Sequence, residues 1–456
     1  MMFPFLNAQQ PDITGNWLGK LSVGAVQLRI VFNIGINDKG NYTATMDSPD
    51  QGAKDIPMGE VILAGDSLTI LAPMLRGDYK GIMVNDTSLE GTWTQSGMSY
   101  DLNLLKQTEP FKINRPQEPQ PPYPYNEENV TFPSISGDFN MGGTLTFPSG
   151  DGPFAAAILV SGSGSQNRDE EIFGHKPFKL IADYLTRGGI AVFRYDDRGV
   201  GESGGSPVGA TSADLATDAR SAIEYLLGRE DIDNKRIGII GHSEGGMIAL
   251  KLAAENDDIA FIISLAGPGV KGRTILEDQT EYISRVSNVP EDVISQSMEL
   301  NRNIYNILEE FEDPEKGIER MNSFVRDFYR EEEVEDDIIN QVLNNINSTI
   351  NPASYPWLRF FARSDPAEYF QKIKCPVLAL NGEKDCQVIA EKNITAIVGD
   401  LKEAGNKDVT GKVLPELNHL FQHSDTGLPN EYGEIEETMS PEVLETISQW
   451  INGIVE

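Results

Sequence analysis

One stretch near the middle of the chain decides the fold: residues 236–254, with the sequence RIGIIGHSEGGMIALKLAA. Its first part, Arg236–Ile240, is a short apolar run typical of a buried strand, and its last part, Met247–Ala254, has the apolar pattern of a buried helix. Between them lies the pattern G-x-S-x-G, with Ser243 at its centre. A serine on so sharp a turn needs neighbours without bulk two positions away, and both are glycines. We therefore predict that Ser243 is a nucleophile exposed at the start of a helix.

Strand-like and helix-like segments alternate on both sides of this stretch. The apolar runs and helical patterns are Ala155–Val160, Phe178–Arg187, Ile190–Phe193, Ala213–Leu227, Ile237–Ile240, Gly245–Ala254, Phe261–Leu265, Val377–Leu380 and Val409–Leu414. Continuous apolar strands separated by helices predict an α/β domain with a mostly parallel sheet covered on both faces. The alternation stops after Gly267, where a charged, helical stretch predicts a cap insertion at 268–356.

The first quarter of the chain has a different pattern. Residues 11–108 contain short β-branched runs with turn residues between them, which predicts an antiparallel all-β accessory domain. Residues 109–126 contain six prolines and predict a stiff linker. The catalytic domain would then span 127–456, and residues 1–10 resemble the remnant of an export leader.

Charge excludes several classes of partner. The 456 residues include 37 Lys and Arg against 70 Asp and Glu, a net charge of −33, which disfavours nucleic acid and anionic lipid. Two cysteines exclude a disulfide framework, and no apolar run is long enough to span a membrane. Residues 271–350 hold 19 acidic and 8 basic residues, so we expect the approach to Ser243 to disfavour anionic substrates.

A serine nucleophile needs a general base, and the chain has four histidines. His419 follows the last predicted strand, in the place where the base of such enzymes lies, so we predict His419 as the base, with His423 as the alternative. The two are spaced i,i+4, but the helical zinc motif needs a Glu where Leu420 stands, so we predict no metal.

The orienting carboxylate should follow a strand between the nucleophile and the base. The strand at 377–382 is followed by Glu383 and Asp385, and we predict Asp385, with Glu383 as competitor. We predict that two backbone amides hold the oxyanion: that of Ser163, in the loop after the first central strand, and that of Glu244, the residue after the nucleophile.

Two glycine patterns bear on a nucleotide cofactor. Gly162-x-Gly164 lacks a third glycine, and Gly199–Gly204 matches G-x-G-x-x-G without an acidic residue after the next strand. We therefore predict no cofactor.

Five segments together resemble the α/β-hydrolase fold, and more narrowly bacterial carboxylesterases of the serine aminopeptidase-like hydrolase group that carry an N-terminal β-domain. They are SGSGSQNRD at 161–169, DDRGVGES at 196–203, GHSEGG at 241–246, GEKD at 382–385 and LNHLF at 417–421. The resemblance implies Ser243, Asp385 and His419 as the catalytic triad. Ser161 departs from this pattern, because many members have His at that position. We expect the difference to adjust the catalytic activity without abolishing it.

The predicted function is hydrolysis of short-chain carboxylic esters through an acyl-enzyme, with a small-molecule ester as substrate. The alternative is an aminopeptidase or amidase on the same triad, for which Glu309-Glu310 or Glu331-Glu332-Glu333 would hold an ammonium group. A purely binding role remains open for the β-domain, as does a homo-oligomer formed through the β-domain or the cap. The resemblance implies a periplasmic or secreted location, with a cytoplasmic one as the alternative.

Overall fold

The computed structural model describes residues 11–23, 26–51, 53–109 and 111–455, and the chain divides into two compact units. The first comprises Met1–Pro116, Ile172–His175 and Pro429–Glu436, and the second Gln117–Glu171, Lys176–Leu428 and Glu437–Glu456. The predicted leader at 1–10 and Pro110 of the predicted linker lie outside the described residues. The domain bounds given above stay predictions.

The described part of the first unit holds a ten-stranded antiparallel sheet. Its strands are β1 (Gly15–Val23), β2 (Val26–Ile36), β3 (Tyr42–Ser48), β4 (Ala53–Pro57), β5 (Val61–Ala64), β6 (Ser67–Ala72), β7 (Gly77–Asn85), β8 (Ser88–Gln95), β9 (Met98–Asp101) and β10 (Leu104–Gln107). The order is β4-β3-β2-β1-β10-β8-β7-β6-β5, with β9 beside β8. Alternate residues such as Leu68 and Ile70 of β6 are buried, as expected for a sheet with one face on a core. The prediction of an antiparallel β-domain is confirmed.

The second unit contains a mixed sheet of eight strands among its described residues. They are β11 (Asn126–Pro133), β12 (Asn140–Phe147), β13 (Phe154–Val160), β14 (Ala191–Tyr195), β15 (Ile232–His242), β16 (Phe261–Leu265), β17 (Val377–Gly382) and β18 (Val409–Leu414). The order is β11-β12-β14-β13-β15-β16-β17-β18, in which β13–β18 are parallel and β11 and β12 form an antiparallel edge.

Helices cover both faces of this sheet. They are α1 (Pro177–Arg187), α2 (Ser212–Leu227), α3 (Glu244–Glu255), α4 (Gly272–Val286), α5 (Glu291–Glu310), α6 (Pro314–Glu331), α7 (Asp336–Thr349), α8 (Tyr355–Arg363), α9 (Ala367–Phe370), α10 (Ala390–Glu403) and α11 (Pro441–Val455). One core layer contains apolar side chains of α2, α3 and α10, and the other contains those of α1 and α11. The predicted α/β-hydrolase fold is confirmed.

The helical insertion between β16 and β17 consists of α4–α8 and has an apolar core of its own, which includes Leu308, Val325 and Tyr355. Its last helix continues past Pro356 to Arg363, because Leu358, Phe361 and Ala362 are buried on one side of it. No helix in the described ranges has the length and apolar character needed to cross a membrane.

Candidate active site

Ser243 occupies the turn between β15 and α3 in a strained backbone conformation, with φ 52° and ψ −121°. The turn has no room for a side chain at Gly241 or Gly245, two positions before and after Ser243. A Cβ on Gly241 would lie 2.0 Å from the carbonyl oxygen of Gly245, and one on Gly245 would lie 2.1 Å from that of Val160. Strain of this kind persists only where the surrounding structure enforces it, and it is concentrated at functional positions. The turn holds the Ser243 hydroxyl at the N-terminus of α3, where negative charge is favoured.

The loop after β13 lies beside the nucleophile. A Cβ on Gly162 would be 3.2 Å from the Cβ of Ser243. The amide of Gly162 donates to Glu170, whereas the amides of Ser163 and Glu244 donate to no acceptor among the described residues. Both amides, which were assigned to the oxyanion from the sequence, are thus available to an external oxygen.

His419 and Asp385 are in contact and buried. Asp385 Oδ2 accepts from His419 Nδ1 at 2.7 Å, and Asp385 Oδ1 accepts the amides of Gln387 and Val388 at 2.8 and 2.9 Å. The carboxylate is therefore fixed on one side and orients the imidazole on the other, which leaves Nε2 of His419 for proton transfer. The described contacts give the Ser243 hydroxyl no hydrogen bond to His419.

The two alternative residues lie at the surface. Glu383 is exposed, and its carboxylate accepts the amide of Glu416 at 3.1 Å. The His423 side chain is 60% exposed and pairs with Glu437 at 2.8 Å. The structure therefore brings Asp385 together with His419 and places neither Glu383 nor His423 with them.

A cavity of about 500 Å³ extends from Ser163, in the loop after β13, to Trp357 of α8. Most of its wall is apolar or small; its lining residues are Ser163, Gly164, Ser165, Asp197, Arg198, Pro207, Val208, Ala210, Leu215, Asn351, Ala353, Ser354 and Trp357. This volume lies in the range of small-molecule sites.

The Glu244 side chain connects the nucleophile turn to the cap. Its buried carboxylate accepts from the Ser212 hydroxyl and from Trp357 Nε1, the latter at 3.0 and 3.1 Å. Burial raises the pKa of the Glu244 carboxyl, and the hydrogen bonds from Ser212 and Trp357 do not offset that effect. Glu244 therefore fixes the Trp357 ring in the cavity wall.

Asp197 is the carboxylate of the cavity wall. It accepts from the Ser161 hydroxyl at 3.1 Å and from the Gln166 amide at 2.9 Å, and burial raises the pKa of its carboxyl to about 7. Ser161, which departs from the pattern of the resemblance, is thus hydrogen-bonded to Asp197. The guanidinium of Arg198 is already bound by Asp218.

Sequence reasoning missed two buried side chains at this centre, Glu170 and His242. His242 Nδ1 lies 2.9 Å from Glu170 Oε1, and His242 Nε2 lies 3.0 Å from the carbonyl oxygen of His419. Glu170 directly follows the segment 161–169 that carries the resemblance, so its position was the available signal. Among the described residues, no group of three or more His, Cys, Asp or Glu side chains is placed to hold a metal ion.

Comparison with known proteins finds chains that are similar to this one. The family model described as serine aminopeptidase, S33, matches residues 176–425. The esterase EstD of Thermotoga maritima is 28% identical over 334 residues, which cover 72% of this chain and 68% of that protein. The uncharacterized protein YfhR of Escherichia coli is 26% identical over 184 residues, covering 37% of this chain and 62% of YfhR.

Solved structures with a similar fold include a Pyrococcus furiosus esterase, with a TM-score of 0.45 and 15% identity over 76% of this chain and 100% of that one. A proline iminopeptidase of Mycobacterium smegmatis has a TM-score of 0.44 and 17% identity over 72% of this chain and 98% of that one. The family model covers more than half of the chain, from the first helix of the α/β unit through His419. The chain therefore belongs to the S33 serine aminopeptidase family of α/β hydrolases.

Proposed function

We propose that the protein is a serine carboxylester hydrolase that acts on short-chain acyl esters. The observation that carries the proposal is the nucleophile turn: Ser243 is held with φ 52° beside two amides that have no acceptor among the described residues. The similarity to the esterase EstD over 72% of the chain supports an ester as the substrate.

In the proposed mechanism, Ser243 Oγ attacks the acyl carbon while Nε2 of His419 takes its proton. Asp385 keeps the hydrogen on Nδ1 and stabilises the imidazolium that forms. The amides of Ser163 and Glu244 bind the oxyanion. His419 then protonates the departing alcohol, and a water molecule, deprotonated by the same nitrogen, hydrolyses the acyl-enzyme and returns Ser243 to its starting state.

The preference for short acyl chains rests on the cavity beside Ser163. About 500 Å³ with an apolar wall of residues such as Val208, Leu215 and Trp357 suits a short alkyl chain and has no free cation for an anionic one. Arg198, the cation in that wall, is held by Asp218.

An aminopeptidase on the same triad needs a carboxylate that faces the substrate. Glu309 is paired with Lys271 at 3.1 Å, and Glu331, Glu332 and Glu333 are exposed at the end of α6, outside the cavity lining. Asp197 does line the cavity, but burial raises its pKa to about 7, so only about half of it is ionised at neutral pH. These placements favour the ester over the aminoacyl amide.

The test compares p-nitrophenyl acetate, butyrate and octanoate with aminoacyl p-nitroanilides, using the wild-type protein and Ser243→Ala. We expect turnover of the short esters, weaker turnover of octanoate, and loss of ester turnover in Ser243→Ala. Faster turnover of the anilides than of the esters would support the aminopeptidase instead. Residual ester turnover in Ser243→Ala equal to wild type would reject a role of Ser243.

Export of the protein also stays a proposal, supported by the resemblance described above. Fractionation of the source cells into periplasmic, secreted and cytoplasmic pools, followed by detection of the protein, would test it.

A further inference from the structure

A chain of three hydrogen bonds joins the loop after β13, which carries Ser163, to the loop that carries His419. Glu170 Oε1 accepts the amide of Gly162 at 2.6 Å and lies 2.9 Å from His242 Nδ1. On the other side of the ring, His242 Nε2 lies 3.0 Å from the carbonyl oxygen of His419. Both ring nitrogens of His242 are therefore engaged by oxygen atoms of two different loops.

The chemistry of these partners sets the protonation state of His242. A backbone carbonyl oxygen can only accept, so Nε2 carries a hydrogen, and a carboxylate oxygen accepts from Nδ1 in the same way. With a hydrogen on each nitrogen, His242 is an imidazolium that neutralises the carboxylate of Glu170. Both residues are buried, at 7% and 4% exposure, where a charge without a partner is costly.

The electrostatic surroundings agree with this state. Burial alone would lower the pKa of His242, but Glu170, the His419 carbonyl and Asp385 outweigh burial and raise it. The backbone of Glu170 is itself strained, with φ 50°, which shows that the surrounding structure enforces its position.

The bonded atoms explain what the pair positions. Fixing the amide of Gly162 orients the next peptide, whose N–H belongs to Ser163, the proposed oxyanion donor. Fixing the carbonyl of His419 sets the backbone that carries the proposed base, and the two imidazole rings lie 4.8 Å apart. Rates fall steeply when catalytic groups shift by about 1 Å. The hydrogen bonds that Glu170 and His242 make to the two loops form a brace, which should therefore affect turnover.

We propose that Glu170 and His242 form a buried ion pair that positions the Ser163 amide and the His419 backbone around Ser243. This inference rests on the proposed function, but the charge state of His242 can be measured without any substrate. Glu170 and His242 are positioning residues, since neither contacts the reacting atoms.

The first measurement is ¹⁵N NMR of the full chain labelled at histidine. The sequence has only four histidines, so His242→Asn identifies the signals of His242 by their loss. We expect both ring nitrogens of His242 to be protonated at pH 7.5 in the wild type. In Glu170→Gln we expect one nitrogen to lose its hydrogen, and in the matched control Glu171→Gln we expect no change.

The second measurement is turnover of p-nitrophenyl butyrate. We expect Glu170→Gln to lower kcat by about 10–100-fold with KM changed by less than about 3-fold, because the brace acts on the reacting geometry. Glu171→Gln should stay within about 2-fold of wild type. The double variant Glu170→Gln/His242→Asn should lose no more than the worse single variant, as expected for residues that act as a unit.

A neutral His242 in the wild type would overturn the charged pair, even if the variants failed to fold. A kcat of folded Glu170→Gln equal to that of Glu171→Gln would overturn its positioning role. A wild-type protein without ester turnover would reject the proposed function, while the NMR result would still decide the state of His242.

Discussion

Two histidine–carboxylate pairs lie on the same C-terminal loop, only four residues apart, and differ mainly in burial. His419 pairs with Asp385 at 2.7 Å and His423 with Glu437 at 2.8 Å, so the bonds have nearly the same length. The side chains of the first pair are 6% and 0% exposed, and those of the second are 60% and 24% exposed. Bond length therefore does not separate the proposed catalytic pair from the surface pair.

Burial separates them for a physical reason. Water and salt screen an exposed pair, which is typically worth about 0–1 kcal/mol and does not hold the ring in one orientation. The buried Asp385 receives two backbone amides as well as the imidazole, so its position is fixed before a substrate arrives. The pair of Glu170 and His242 extends the same arrangement, because it also lies below the surface and is bonded to the loop of His419.

The largest expected effect comes from removing His419, with the removal of His423 as the control. His419→Ala should lower kcat for p-nitrophenyl butyrate by about 10⁴–10⁶-fold, because Ser243 then has no base. His423→Ala should change it by less than about 2-fold, because that ring is paired at the surface. Steady-state kinetics on both variants, with circular dichroism as a control of folding, would check this. Equal losses would contradict the distinction between the two pairs.

A smaller effect is expected when each carboxylate becomes an amide of the same shape. Asp385→Asn should lower kcat by about 10²–10⁴-fold, because the amide no longer holds His419 in the required tautomer. Glu437→Gln should leave kcat within about 2-fold. The comparison uses the same ester and the same buffer for both variants, and a wild-type kcat in Asp385→Asn would transfer the orienting role to another residue.

The effect of burial on a carboxylate can also be measured as a pH dependence of stability, with Asp197 and its neighbour Asp196. The pKa of Asp197 is raised by burial to about 7 from its ordinary value of 3.8, so the folded protein binds more protons than the unfolded chain between these pH values. The contribution of Asp197 to the free energy of unfolding should therefore fall as pH rises through that window. Asp197→Asn should remove this fall, which amounts to at most about 4 kcal/mol at 1.4 kcal/mol per pKa unit. Urea unfolding at pH 5, 6, 7 and 8 would measure it.

Asp196 provides the matched control for that experiment. Burial alone would raise its pKa, but hydrogen bonds from Arg168 and from the Glu202 amide outweigh burial and lower it. Its contribution to stability is present above the ordinary pKa and lost only as pH falls below it. Asp196→Asn should therefore leave the slope between pH 5 and 8 unchanged, and a changed slope in both variants would contradict the assignment to Asp197.

The smallest effect should come from the exposed charges of the cap. Residues 271–350 carry 19 acidic and 8 basic residues, so a negatively charged ester should have a higher KM than a neutral one of similar size. Raising NaCl from about 20 to 300 mM should reduce that difference by a few-fold, since salt screens exposed charges. Parallel measurements of KM for p-nitrophenyl butyrate and p-nitrophenyl hemisuccinate would show it. A ratio of the two KM values that does not change with salt would show that the cap charges do not affect the choice of substrate.

The sequence predicted the parts of this molecule that depend on local pattern. The glycines around Ser243 and the apolar strands on either side of it indicated the nucleophile turn and the parallel sheet, and the order of elements favoured His419 over His423. The antiparallel edge of β11 and β12 was not predicted, because these strands, NEENVTFP and NMGGTLTF, lack the continuous apolar runs that indicated the buried parallel strands. Glu170 was missed for another reason: its role depends on contacts with Gly162 and His242, 8 and 72 residues away.

Trapping the acyl-enzyme tests most directly whether Ser243 carries the acyl group. The protein would be mixed with p-nitrophenyl butyrate, quenched in acid within milliseconds and examined by peptide mass spectrometry, with Ser243→Ala as the control. We expect a butyryl group on the peptide that contains Ser243, approaching one per chain in an initial burst, and no such group in the variant. A butyryl group on another residue with wild-type turnover retained in Ser243→Ala would contradict it.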